Sequence, residues 1–155
     1  CGPAGIFIEL QNYDVTAIDP LLDQYHHNLA HFKREKYPNT KFETVALESY
    51  ENPNTFDIIF CINAINHVSD LSKAFEQLCK SAKAGGTIVV SIDAHNYSIF
   101  KHIFRLQPAD ILHPHQFDLK EYQEMLIRLN CSILQTVVIK KEFLFNHYVL
   151  VARKN

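Results

Sequence analysis

The sequence predicts an α/β fold: a doubly wound, mostly parallel sheet with helices on both faces, finished by an antiparallel strand pair. Three observations predict it. The runs FDIIFCI (56–62) and TIVVSID (87–93) are apolar with little alternation, as expected for strands buried on both faces of a parallel sheet. Helical stripes of apolar residues separate the strand-like runs. At the end, ILQTVVIK and FLFNHYVLVA follow one another with no helix between them, so they should pair antiparallel.

The elements follow in order. Residues 4–12 read as a helix with Ile6, Phe7 and Leu10 on one face, stopped by Asn12 and Asp14. Val15 to Ile18 is a short strand closed by Asp19-Pro20. Residues 21–36 carry Leu22, Tyr25, Leu29 and Phe32 at helical spacing, and Tyr37-Pro38-Asn39 ends that stretch. Phe42 to Leu47 is the next strand. Ser69 or Asp70 can cap a helix with the stripe Leu71, Ala74, Phe75, Leu78 and Ala82; Gly85-Gly86 ends it. Residues 94–117 are irregular and rich in histidine and aromatics. Asp118 and Glu121 form a D-x-x-E capping box, opening a helix with Leu119, Tyr122, Leu126 and Leu129 inward.

Composition narrows the class. The 155 residues suit one domain spanning 1–155, and a hydrophobic fraction of 47% suffices for a sizeable core. Fifteen basic residues face seventeen acidic ones, so the formal charge of −2 gives no reason to expect nucleic acid or a charged membrane as the main partner. No apolar run approaches the roughly 20 residues that span a bilayer. Cys1, Cys61, Cys79 and Cys131 form no CxxC and read as reduced thiols of a cytoplasmic protein. His27 and His31 have i, i+4 spacing, but they lie opposite the Leu22/Leu29/Phe32 stripe and read as a solvated helix face; no metal is expected.

The opening CGPAG is a glycine-rich turn of the kind that links a strand to a helix. Gly2 and Gly5 let a ligand approach the main chain, and a helix start offers free N–H groups. The strand that should precede this turn is expected upstream of Cys1, so the domain reads as N-terminally incomplete.

At these residues the sequence resembles the class I S-adenosylmethionine-dependent methyltransferases, in the small-molecule branch of type 11/12 domains. CGPAG is similar to the tail of that family's first motif, VTAIDP to its second strand ending in an acidic residue, FDIIFCINAINHVSD to its fourth strand and loop, and AKAGGTIVVS to its glycine turn and fifth strand. The resemblance implies a Rossmann-like sheet and S-adenosyl-L-methionine as cofactor. It implies that Gly2, Pro3 and Gly5 meet the methionine portion and that Asp19 binds the ribose. Pro20 and Leu21 would flank the adenine, Leu47 and Glu48 line its pocket, and Asn63 and Ala64 approach the amino-acid end. Leu47-Glu48 departs from the family, where an aspartate is common near Ala46.

The stretch 94–117 is the expected lid or substrate insertion. His67, Tyr97 and Phe104 are expected to contact the substrate. Pro114 biases His113 toward extended backbone, which turns His113 and His115 to one side. One of them, His115 foremost, is expected to orient the acceptor or act as base; a shared metal is the weaker rival, and packing the lid is the competing role. The reading is a methyltransferase acting on an O, N or C nucleophile of a small molecule. A nicotinamide-dependent oxidoreductase and a non-catalytic methyltransferase-like binding protein are the alternatives. The acceptor and the oligomeric state are not legible.

Overall fold

The computed structural model describes residues 1–96, 117–143 and 145–155. These form two compact units, Cys1–Tyr50 and Glu51–Asn155.

In the first unit, β1 (Val15–Ile18) and β2 (Thr40–Glu43) pair in parallel, with Val15 opposite Thr40 and Ile18 opposite Glu43. The pairing ends at the bond from the Asp19 N–H to the Glu43 carbonyl (3.3 Å). A strand stops where its partner turns away. For that reason β2 covers 40–43 rather than the 42–47 expected, and Leu47–Ser49 is a 3₁₀ turn instead. The helix α1 (Leu22–Asn28) is also shorter than expected. Leu29 adopts extended backbone, and the loop beyond it drops Phe32 into the core. His31 therefore lies beyond the helix, and the i, i+4 relation to His27 is not helical.

Residues 4–12 do not form the expected helix; only Ile6–Ile8 make a 3₁₀ turn. Gly5 offers no capping oxygen, and Phe7 alone is fully buried there while Ile6 stays exposed. Phe7 packs edge-on against Tyr37 (4.9 Å between centroids) and Phe42 (5.2 Å), and Phe32 against Phe42 (5.5 Å). This aromatic cluster, with Ala17 and Leu22, holds the unit together.

In the second unit, a four-stranded sheet runs β3–β4–β6–β5. The strands are β3 (Phe56–Cys61), β4 (Ala82–His95), β5 (Cys131–Lys141) and β6 (Phe145–Lys154). β3 and β4 are parallel; β6 is antiparallel to both β4 and β5. The final antiparallel pair is thus present, with the last strand inserted between β4 and β5. Two helices, α2 (Leu71–Ser81) and α3 (Leu119–Arg128), cover β4 and β5 and touch each other.

Both helix starts are built as their sequences suggest. Asp70 caps α2 by accepting from the Lys73 N–H, and Asp118 and Glu121 complete a reciprocal capping box on α3. The stripes Leu71/Ala74/Phe75/Leu78 and Tyr122/Leu126 are buried against Ile88, Val90, Ile92, Leu150 and Ala152.

The central strands are not buried on both faces. In β4 the residues Ile88, Val90, Ile92 and Ala94 are buried, while Thr87, Val89, Ser91 and Asp93 between them are half-buried. In β3, Ile58 and Phe60 are exposed, and so is Ile62 just beyond it. Among the described residues of this unit, β3 pairs only with β4, and the helices pack on the opposite face.

Gly85-Gly86 does not end α2, which stops at Ser81; both glycines lie within β4, beside β3. Gly85 has φ +78°, and a Cβ on Gly86 would sit 2.9–3.2 Å from the Lys83, Phe56 and Asp57 carbonyls. Glycine therefore lets β4 shift register beside β3 between Phe56 and Ile58.

Candidate functional site

In the first unit the opening turn lies against the carboxyl end of β1. The Cys1 nitrogen donates to the Ile18 carbonyl (2.7 Å). The Gly2 N–H donates to Asp19 Oδ2 (2.8 Å), and the Leu21 N–H to Asp19 Oδ1 (2.9 Å). The Cys1 nitrogen also approaches Oδ2 at 3.1 Å. Asp19 thus ties the glycine turn to the strand end. Its burial pushes the pKa up, but the hydrogen bonds from the Leu21 and Gly2 N–H groups act against that, and it lies below the usual aspartate value.

Both glycines are required by geometry. Gly2 has φ +68°, and among the described residues nothing lies within 4 Å of a Cβ position there. A Cβ on Gly5 would lie 2.5 Å from the Cys1 carbonyl and 3.0 Å from the Phe7 ring. The turn therefore closes tightly on its inner side and leaves open backbone at Gly2. Pro3 is half-buried, Pro20 and Leu21 are exposed, and Leu47 and Glu48 follow β2 in their 3₁₀ turn. Since β1 and β2 are parallel, Asp19-Pro20-Leu21 and Leu47-Glu48 follow the same edge of the pair.

In the second unit Asn63 and Ala64 follow β3. Asn63 has φ +51°, a conformation asparagine tolerates better than most residues. Its N–H donates to Ser91 Oγ on β4 (2.6 Å). His67 ends the 3₁₀ turn Ile65–His67 and is exposed. The neighbouring Asn66 is buried and donates from Nδ2 to Asp93 Oδ2 (2.7 Å). Asp93 Oδ1 in turn pairs with His147 Nδ1 on β6.

This Asn66–Asp93–His147 chain was missed in the sequence. Asp93 and His147 are far apart along the chain, and only the β4–β6 register sets them opposite each other. The histidine and tyrosine of FNHYVLV carried no signal beyond strand periodicity.

Tyr97, Phe104, His113 and His115 lie outside the described residues. Among the described residues no cluster of His, Cys, Asp or Glu is arranged to hold a metal. All four cysteines are free, and burial pushes the Cys61 thiol up to about 12, which keeps it protonated and unreactive. A cavity of about 500 Å³ is lined by Glu51, Pro53, Asn54, Gln77, Lys80 and Lys154. It lies at the end of the sheet where β4 begins and β6 finishes, away from Asn63 and Asp93.

Parallel pairs with an acidic strand end and glycine turn in one unit, and a parallel pair closed by an inserted antiparallel strand in the other, define a Rossmann-like α/β protein. The chain belongs to the methyltransferase-domain family, whose sequence profile matches residues 1–88, more than half of its 155 residues.

An 84-residue stretch is 27% identical to the ubiquinone biosynthesis O-methyltransferase of Rickettsia bellii. That match covers 54% of this chain but only 35% of the relative, so the chain spans about a third of the relative's length. The fold is similar to a SAM-dependent methyltransferase from Methanosarcina mazei, with TM-score 0.73, 17% identity, and 99% and 89% of the two chains covered. It is also similar to 1,6-didemethyltoxoflavin-N1-methyltransferase of Burkholderia thailandensis, solved with S-adenosylhomocysteine, with TM-score 0.69, 12% identity, and 96% and 64% covered.

Proposed function

We propose that the protein is an S-adenosyl-L-methionine-dependent methyltransferase acting on an O, N or C nucleophile of a small molecule in the cytoplasm. The observation that carries this reading is the clamp at Asp19. A carboxylate at the end of a parallel strand is bonded to the backbone of a glycine turn that has open space at Gly2.

The residues fit the cofactor. A carboxylate offers about four lone-pair sites; the Gly2 and Leu21 N–H groups each take one on Asp19, which leaves capacity on Oδ1 for a ribose hydroxyl. Gly2, Pro3 and Gly5 present main chain to the methionine portion. In this reading Pro20, Leu21, Leu47 and Glu48 supply the strand-end surface for the adenine; Asn63 and Ala64, in the second unit, are the residues the family resemblance assigns to the amino-acid end. When bound, S-adenosyl-L-methionine supplies a methyl group already activated on a sulfonium. The protein then contributes alignment, proximity and exclusion of water.

The antiparallel β6 argues against a nicotinamide-dependent oxidoreductase, which would continue with further parallel βαβ units. The name of the Rickettsia relative makes a hydroxyl the first acceptor to test. No helix among the described residues is long and apolar enough to cross a membrane.

Calorimetric titration with S-adenosyl-L-methionine tests the reading. The wild type should bind. Asp19→Ala should lose roughly 1.5–3 kcal/mol, tenfold or more in affinity, by removing charge-assisted hydrogen bonds. Unchanged affinity in the folded variant would remove Asp19 from the site.

A further inference from the structure

We propose that His147 is the base that takes the proton from the methyl acceptor, with Asp93 and Asn66 as its positioning residues. The proposal rests on the methyltransferase reading and deepens it, because it selects the chemical class of acceptor.

Asp93 and His147 are directly opposed across β4 and β6. Opposed residues of an antiparallel pair point to the same face, and the Asp93 carboxylate meets His147 Nδ1 through Oδ1. The other oxygen accepts from Asn66 Nδ2 at 2.7 Å, and the Asp93 N–H approaches Asn66 Oδ1 at 3.4 Å. Asn66 is only 5% exposed. The carboxylate is therefore fixed at both oxygens. An ionised carboxylate can only accept, so Nδ1 is the ring's donor to Asp93, and in the neutral ring Nε2 carries the lone pair. A base oriented by a carboxylate that is itself held in place is the arrangement general-base catalysis requires.

Nε2 is the ring nitrogen turned away from Asp93. The His147 side chain is 34% exposed, and among the described residues the acidic group facing Nε2 is Glu142, whose Oε2 lies 3.7 Å away, an ion-pair distance that an acceptor would have to replace. The charged groups facing the ring are Asp93 on β4, Glu142 in the β5–β6 connection, and Lys140, which opposes His147 in register and pairs with Glu142.

The dyad is also placed where the reaction is expected. Ser91 and Asp93 are two residues apart on one strand and share its face. Ser91 holds the Asn63 N–H and Asp93 holds Asn66, so one face of β4 anchors both the loop assigned to the cofactor's amino-acid end and the base.

The step balances. The acceptor oxygen or nitrogen uses its lone pair to bond the methyl carbon, displacing the sulfur of the sulfonium donor, which keeps the S–C electron pair. The acceptor's proton passes to Nε2, and the Asp93 carboxylate compensates the imidazolium. Such a base is needed for a neutral hydroxyl or N–H acceptor and not for a carboxylate or tertiary amine. The acceptor class is accordingly a neutral O–H or N–H compound.

The test uses the full chain with ¹⁵N-labelled histidine, saturated with S-adenosylhomocysteine, and catechol as a hydroxyl probe. Before catechol, His147 should show the Nδ1–H tautomer, and Asp93→Ala should mix the tautomers. Catechol should then shift the His147 Nε2 resonance. His147→Asn keeps a donor for Asp93 but has no Nε2; it should retain S-adenosyl-L-methionine affinity while turnover of catechol falls about 100-fold. A catechol shift at other histidines with His147 unmoved, no shift at any histidine, or undiminished turnover in His147→Asn would each overturn the proposal. Failure of the wild type to bind S-adenosylhomocysteine would instead overturn the methyltransferase reading beneath it.

Discussion

The Sγ atoms of Cys79 on α2 and Cys131 at the start of β5 lie 3.4 Å apart, both buried. The two sulfurs share a hydrogen bond. Together with Lys154 this outweighs burial and lowers Cys131 to about 7, while Cys79 is pushed up. A disulfide needs the sulfurs at about 2.05 Å, a short movement for a thiolate already facing a thiol. Treatment with diamide is expected to join Cys79 to Cys131, detected by mass after non-reducing digestion. The bond closes a long loop and should raise stability by up to roughly 4 kcal/mol. Cys79→Ser should abolish both effects.

Gly5→Ala should disrupt the opening turn. Its Cβ would meet the Cys1 carbonyl at 2.5 Å, and backbone cannot yield as a side-chain tip can. A cost of about 1–3 kcal/mol is expected from such overpacking, with S-adenosyl-L-methionine affinity falling in parallel. Thermal unfolding and calorimetry measure the two, and a variant as stable as the wild type would contradict the geometry.

Asp19 predicts an acid limb. Its folded pKa lies below the unfolded value near 3.8. A depressed carboxyl contributes stability that is fully present above the unfolded pKa and is lost as pH falls through the folded one. Asp19→Asn should flatten this limb of the stability curve while leaving the slope above about pH 6 unchanged. Melting temperature followed against pH reads both.

Asp118→Ala removes one half of the capping box on α3. It should cost about 0.5–2 kcal/mol. Because the cap precedes the buried Tyr122 and Leu126, the loss should appear as weaker hydrogen-exchange protection at the start of α3. Asp118→Asn or Asp118→Ser should recover most of it.

Local chemistry alone determined much of this protein. The capping residues Asp70 and Asp118, the stripes of α2 and α3 and the strand end at Asp19 were legible because each depends on neighbours a few residues away. The order of the motifs sufficed to indicate the family.

Tertiary structure decided the rest. β2 stops at Glu43 because β1 stops at Ile18, and no periodicity within β2 records that. The helix expected at 4–12 gives way to a turn because burying Phe7 among Phe32, Tyr37 and Phe42 outweighs its weak start. The one-sided burial of β3 and β4 depends on which face α2 and α3 cover. Asp93 and His147 become a pair only through the antiparallel register of β4 and β6, which places residues 54 positions apart side by side. Spacing along a chain encodes helix faces and strand faces; it does not encode which strands become neighbours, and the proposed base depends on that pairing.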